Sequence, residues 1–291
     1  MDNIVSPYQF RSLLVRLDNV PMQLRDLQRL IDSVFLPDAA MRGDNIGVHV
    51  ESASGEVHSI LVCLDVTDAV VAEAIERQCN TIIAFHPLIY TPITRLQRTD
   101  RVGRILCELI ARDISLLCVH TAFDAYPQGT NYLLARKLGL QPQQPLVPSE
   151  FGMGYGMGIV AGVEGGMEFD ELVERISNVC GSPVRFSPPP SPIVRSVAIV
   201  GGSGDSFTAD ALRSGADVFI TADLKYHAFH AAVGRIGLID PGHYEMEQFA
   251  IDGIVHAVRP LIPATTSIQR STVSTNPVHY AASTTASTSQ S

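Results

Sequence analysis

The chain contains no tryptophan, and only 18% of its 291 residues are charged. No run of about 18 apolar residues occurs, so no segment is expected to cross a bilayer as a helix. Lys/Arg-rich runs are missing too, and the formal net charge is −9, which leaves no basic face for a phosphate backbone. Neither a membrane nor nucleic acid is expected as a direct partner. The five cysteines, Cys63, Cys79, Cys107, Cys118 and Cys180, are scattered without CxxC spacing. Most sit inside apolar runs, where a thiol acts as a small hydrophobe, and an odd, dispersed set suits a reducing compartment. Met1 to Arg11 holds Asp2 and Pro7 rather than the charged-then-apolar pattern of a secretory leader. The expected location is the cytoplasm.

What is present is a hydrophobic content of 46%, enough for a core of ordinary size. Val57 to Asp65 (VHSILVCLD), Thr81 to Phe85 (TIIAF) and Ile114 to Val119 (ISLLCV) read as buried strands. Between them, Val66 to Gln78 and Val102 to Arg112 have helical spacing, so the order predicts a parallel sheet. The alternation resumes with strands at Ser196 to Val200, Val218 to Thr221 and Gly237 to Asp240, separated by helices near Ala209 to Ser214 and Ala228 to Val233. Between the two runs lie a Gln/Pro-rich stretch, Gln141 to Glu150, a glycine-rich strand pair around Gly152 to Val163, a helix near Phe169 to Val179, and the stiff SPPPSP of Ser187 to Pro192. The expectation is an α/β protein of two α/β lobes. The N-terminal lobe would span 1–140, a middle connecting module 141–195, the C-terminal lobe 196–280, and a small, polar, disordered tail 281–291.

In both halves, buried strands run out into histidine: His86 after TIIAF, His120 after ISLLCV, and His243 three residues after GLID. Ligands of open α/β sheets gather at the carboxyl ends of strands, so residues far apart in sequence can converge there. His243 and Glu247 stand four apart at the start of an expected helix, which puts both on one face, able to close on a metal ion. The same spacing equally suits a capping His and a solvated Glu. His120 and Asp124 are also four apart, but in an expected turn. Asp is a ligand for Mg²⁺, Mn²⁺ or Zn²⁺, and a neighbouring His can relay protons; a capping Asp is the alternative. Gly201 to Gly204 (GGSG) follows a strand, so the backbone of Gly202, Ser203 and Gly204 could cradle an anion, or merely form a tight turn. No GK[ST] or GxGxxG is present. Arg104, Arg195 and Lys225 are candidate phosphate partners, with a solvated surface position as the favoured reading of each.

Taken in order, DNIG (Asp44 to Gly47), LDVT (Leu64 to Thr67), AFHPLIY, HTAFDAYPQGTNYLLARKLGL, VAIVGGSG, GADVFITADLKYH and GHYEME resemble the GTP cyclohydrolase I type 2 homolog family, also called NGG-one-interacting factor 3-like. The resemblance runs from about residue 45 to 280, ending near Asn276-Pro277. It implies a two-lobed fold with a strand-end di-metal site, assembled as a homohexamer. Metal ligands are implied at His86, Asp124, His243 and Glu247, with His120 and His227 close by as proton carriers. The cofactors implied are divalent ions, two per chain, of Zn, Mn, Fe or Mg. The activity implied is metal-dependent hydrolysis of a nucleotide or other small phosphate compound, with a non-enzymatic metal-binding or regulatory role as the alternative. Segment 141–195 is too short for the extra domain some members carry. Phe85 stands where many members have a first histidine, and Ala222 and Met246 replace a usual glycine and a usual hydroxyl residue.

Overall fold

The computed structural model describes residues 21–281. From residue 282 on, the expected tail lies outside the described residues. One sheet has five strands in the order Ser267–Arg270, Ser59–Cys63, Thr81–Ala84, Ser115–Cys118 and Gly47–Val50, all parallel except the last. Parallel neighbours need crossovers, and the helices Asp68–Glu76 and Arg101–Ala111 supply them. Each begins where a side chain satisfies a loose backbone donor: Val70 N–H donates to Thr67 at 3.2 Å and Gly103 N–H to Asp100 at 2.7 Å. Side chains alternate along the strands, so Ile60, Val62, Ile83 and Phe85 enter one core and Leu61, Cys63, Ile82 and Ala84 the opposite one. Burial on both faces is why these strands read as continuous apolar runs. The VHSILVCLD run is divided at His58, because Glu56–Val57 turns away to pair with Met22–Gln23.

The second sheet has six strands in the order Arg185–Ser187, Gly237–Asp240, Val218–Ala222, Ile193–Ser203, Ile159–Glu168 and Gln141–Gln144. Its Ile193–Ser203, Val218–Ala222 and Gly237–Asp240 strands are mutually parallel, and the flanking ones antiparallel. Segment 141–195, expected as a connecting module, contributes the strands Gln141–Gln144, Ile159–Glu168 and Arg185–Ser187 to this sheet. Its Pro142 sits on the edge strand, where a missing donor harms the ladder least.

The lobes also exchange elements. Helix Thr130–Lys137, from the first half of the chain, packs Leu134 and Ala135 into the core of the second sheet. Helix Ala250–Val258 and strand Ser267–Arg270 return to the first, where Ile251, Ile254 and Ile268 meet Phe35, Phe85 and Phe123. Each such apolar side chain, fully buried, is worth roughly 1.5–3 kcal/mol. Among the described residues, no helix is long and apolar enough to cross a membrane.

Past the last strand, the chain is pinned by Glu73, buried at 7% exposure, whose carboxylate accepts from Ser271 Oγ, Thr272 N (2.9 Å) and Thr272 Oγ1 (2.7 Å). Glu73→Leu leaves the buried Ser271 hydroxyl without its acceptor and frees the exposed Thr272, and is expected to cost about 1–3 kcal/mol. Urea denaturation checks this, and an unchanged midpoint would show that the clamp contributes nothing.

Candidate metal centre

The parallel strands of both sheets run out toward one another, and their ends carry the chemistry. His86 follows Thr81–Ala84 by two residues, with its backbone N–H on Leu64 O at 2.8 Å. His243 opens the five-residue helix His243–Glu247, which ends on Glu247 and is entered through Gly242 at φ +96°. The i, i+4 spacing thus spans the whole helix and places both side chains on one side.

His86, His243 and Glu247 offer one ligand atom each, all within 4.8 Å of one another. Glu247 Oε2 lies 3.1 Å from His86 Nε2 and 3.1 Å from His243 Nε2, yet neither approach is aligned as a hydrogen bond. Among the described residues it is a buried carboxylate oxygen without a hydrogen-bond partner, aimed between two imidazoles. On their far sides both rings are held by carboxylates: His86 Nδ1–H donates to Asp65 at 2.9 Å and His243 Nδ1–H to Asp223 at 2.7 Å. That choice of tautomer leaves each Nε2 lone pair facing Glu247 in the neutral ring, the arrangement in which histidine binds a metal. Two imidazole nitrogens and a carboxylate suit zinc, manganese or iron. The donor set fits a divalent ion.

Asp124 lies in the short helix His120–Asp124, where the sequence suggests a turn, and its Oδ1 is a second buried oxygen without a partner. With His86, His120, His243 and Glu247 it lines a cavity of about 550 Å³ that, among the described residues, includes no Lys or Arg. Burial and the charge of Glu247 push the Asp124 carboxyl well above the usual range. Burial also raises Glu247, but His243 and His86 outweigh it and hold this group low. His120 completes a row of rings, its centroid 5.5 Å from that of His86. Its Nδ1–H donates to Asp44 at 2.7 Å, and Asp44 also accepts from Thr121 N at 3.1 Å. His120 at φ +26° and Asp223 at φ +58° occupy strained backbone, a cost retained where geometry must be fixed.

The remaining sequence candidates fall elsewhere. His227 is exposed on helix Tyr226–Ala232, against Tyr226, and lines neither cavity beside the metal-capable group. In the GGSG stretch, Gly201 N–H donates to Asn131 Oδ1 at 2.7 Å and Gly204 N–H to Thr221 Oγ1 at 2.9 Å, so two of its donors are committed internally. Gly202, at φ +60°, instead keeps space open for the centre, since a Cβ there would stand 2.5 Å from Glu247 Oε1 and 3.0 Å from His243 Nε2. Arg104 pairs with Asp68, and Arg195 and Lys225 are exposed. Phe85 is fully buried in the first lobe's core, its ring 4.9 Å from that of His86. The sequence reading missed Asp44, Asp65 and Asp223, although each lies in a motif it singled out. The signal was the one used for the histidines, a polar residue just beyond a strand, as with Asp65 after Ser59–Cys63 and Asp223 after Val218–Ala222.

Two interlocked α/β lobes whose strand ends turn imidazoles and carboxylates toward each other define a class: two-lobed α/β proteins with a metal-capable centre between the lobes. Within it, the chain belongs to the Duf34/NIF3 (NGG1p interacting factor 3) family, whose model matches residues 22–277. It is 35% identical over 247 residues to a "GTP cyclohydrolase 1 type 2 homolog" of Nostoc, covering 82% of this chain and 92% of the relative. A protein of the same name from Clostridium perfringens is 30% identical, over 78% of this chain and 87% of its own length. A solved Staphylococcus aureus structure superposes with a TM-score of 0.80 at 30% identity, covering 90% of this chain and 100% of that one. A Bacillus cereus protein related to NIF3 shares the fold, with a TM-score of 0.83 at 23% identity over 90% of this chain and 99% of that one.

Burial pulls the His86 pKa down, but Asp65 and Glu247 more than reverse this and raise it to about 10; the same balance, with Glu247 and Asp223, brings His243 to about 9. For histidines raised in the folded state, the metal-free protein holds the full stabilisation below the unfolded value near 6.5. It then loses it as pH rises through about 9 to 10. Melting of chelator-stripped protein is expected to fall across that window, and less so for His86→Gln. Parallel curves for the two would refute the assignment.

Proposed function

We propose that the chain binds divalent metal through His86, His243, Glu247 and Asp124 and uses it to hydrolyse a nucleotide or other small phosphate compound. The observation that carries this reading is the unpartnered Glu247 Oε2 between two Nε2 atoms. His86 and His243 would hold one ion with Glu247. Asp124 and Glu247 would hold a second, at the position where Phe85 supplies packing in place of an imidazole. A divalent ion held there would supply activation of water near neutral pH and neutralisation of phosphate charge. The latter matters because no Lys or Arg lines the cavity among the described residues. His120, with Nδ1 tied to Asp44, keeps Nε2 free to accept and return a proton at the cavity wall. Asp44 fixes the tautomer that makes this possible. The name carried by the relatives supports a nucleotide-like substrate. The buried Phe85 ring favours a second reading, in which an ion is held without turnover.

Elemental analysis is expected to find at least one divalent ion per parent chain, and at least tenfold less in Glu247→Ala and in Gly202→Ala, whose methyl would displace Glu247 and His243. Phosphate release from nucleotides should require Mn²⁺ or Zn²⁺ and stop with chelator. Equal metal in parent and Glu247→Ala refutes the site, and bound metal without turnover on any phosphoester selects the second reading.

We also propose a closed homo-oligomer, a hexamer, in a reducing cytoplasm. Tyr90 at 76% and Met153 at 74% exposure are apolar surface for a neighbouring copy to cover, and all five cysteines are free. Light scattering at micromolar concentration is expected to give about six times the 31.5 kDa chain mass. A monomer would refute it.

A further inference from the structure

Beyond Arg270 the chain runs to residue 281 without regular structure, and its side chains fasten to the carboxylates they pass. Glu73 takes Ser271 and Thr272, which anchors the segment to the first lobe. Thr275 Oγ1 then donates to Asp65 Oδ2 at 2.6 Å, and the next residue, Asn276, donates through Nδ2 to Glu245 Oε1 at 2.8 Å. Those two acceptors belong to opposite lobes. Asp65 follows a strand of the first sheet, and its other oxygen holds His86 Nδ1 at 2.9 Å. Glu245 is buried in the helix that carries His243 and Glu247. Successive side chains of an extended segment point in opposite directions, so one dipeptide reaches both halves of the centre.

We propose that Thr275 and Asn276 form a clasp: positioning residues that hold His86 and the His243–Glu247 helix at the separation an ion requires. The inference rests on the metal-binding reading above and deepens it. The donors of the centre come from two lobes, so the spacing of their nitrogens is set by whatever ties one lobe to the other at that point. Thr275 also leaves Asp65 only one orientation, with Oδ1 toward His86. Without the hydroxyl, Oδ2 has no such tie, and the carboxylate and the ring it orients gain freedom. Because Glu73 already anchors the segment, its attachment to the first lobe survives the loss of the clasp.

The test uses the full chain stripped of metal by chelator. Zn²⁺ affinity is measured in competition with a chromophoric chelator, and release is timed into excess chelator, for the parent, Thr275→Val, Thr275→Ser and Asn276→Leu. Thr275→Val keeps the shape and removes the donor. It and Asn276→Leu are each expected to weaken zinc binding about tenfold, the lower end for groups that orient metal ligands, and to speed release correspondingly. Thr275→Ser should behave like the parent, and the stripped variants should melt with the stripped parent. Parent-like affinity and release in Thr275→Val, equal losses in the Val and Ser variants, or stripped melting that falls in step with affinity would each overturn the clasp. Should Thr275→Val fail to fold, Asn276→Leu makes the same test from the other lobe. A parent that takes up no zinc refutes the metal reading itself and the clasp with it, a result distinct from a parent that binds and variants that match it.

Discussion

A carboxylate oxygen buried 3.1 Å from two imidazole nitrogens requires positive charge beside it. At Glu247 that charge is either protons on His86 and His243 or a cation among the three groups. The surroundings are arranged around this requirement. Asp65 and Asp223 back the two rings, Asp44 backs a third, and Asp124 adds a further buried carboxylate that burial and Glu247 together discourage from ionising. Asp124 is the one of these carboxylates that its surroundings do not favour in the charged form, and a site with five acids beside three imidazoles suits a divalent ion. Gly202 belongs to the same constraint, since a side chain there would occupy the space of the Glu247 carboxylate.

The fold meets the constraint with rigid parts. His86 and Asp65 lie just past neighbouring parallel strands, so backbone ladders set their separation before any side chain acts. Phe85, immediately before His86, is directed into the core with Phe123 at a centroid distance of 6.4 Å. That packing fixes the chain direction from which His86 emerges. On the other side the centre depends on one short helix, and a five-residue helix has little stability alone. Its buried Met246, packed among the second sheet's side chains, supplies what helix propensity does not.

Much of this was legible in the sequence, for identifiable reasons. Strands such as Thr81–Ala84 and Gly237–Asp240 are short apolar runs bounded by turn residues, and their ends were readable to within a residue. Harder to see was the division at His58, since a change of strand partner leaves no mark on hydropathy. The placement of Gln141–Gln144 on a sheet edge was hidden by its polar composition, because exposed edge strands need no apolar pattern. At the centre, the i, i+4 pair and the strand-end histidines announced themselves by spacing. The aspartates that orient them did not, because an Asp after a strand also suits an ordinary turn. For the glycine run, the sequence suggested donors for an anion, whereas the structure gives Gly202 a steric role that no local pattern encodes.

The exchange of elements between the lobes bears on how the molecule comes apart. Cutting the chain between its halves would leave the first sheet without its outer strand Ser267–Arg270 and the second without the helix Thr130–Lys137, exposing Leu134, Ile254 and Ile268 together. Each sheet's core therefore draws on both halves of the chain, and the metal-capable centre lies on the seam where the two meet.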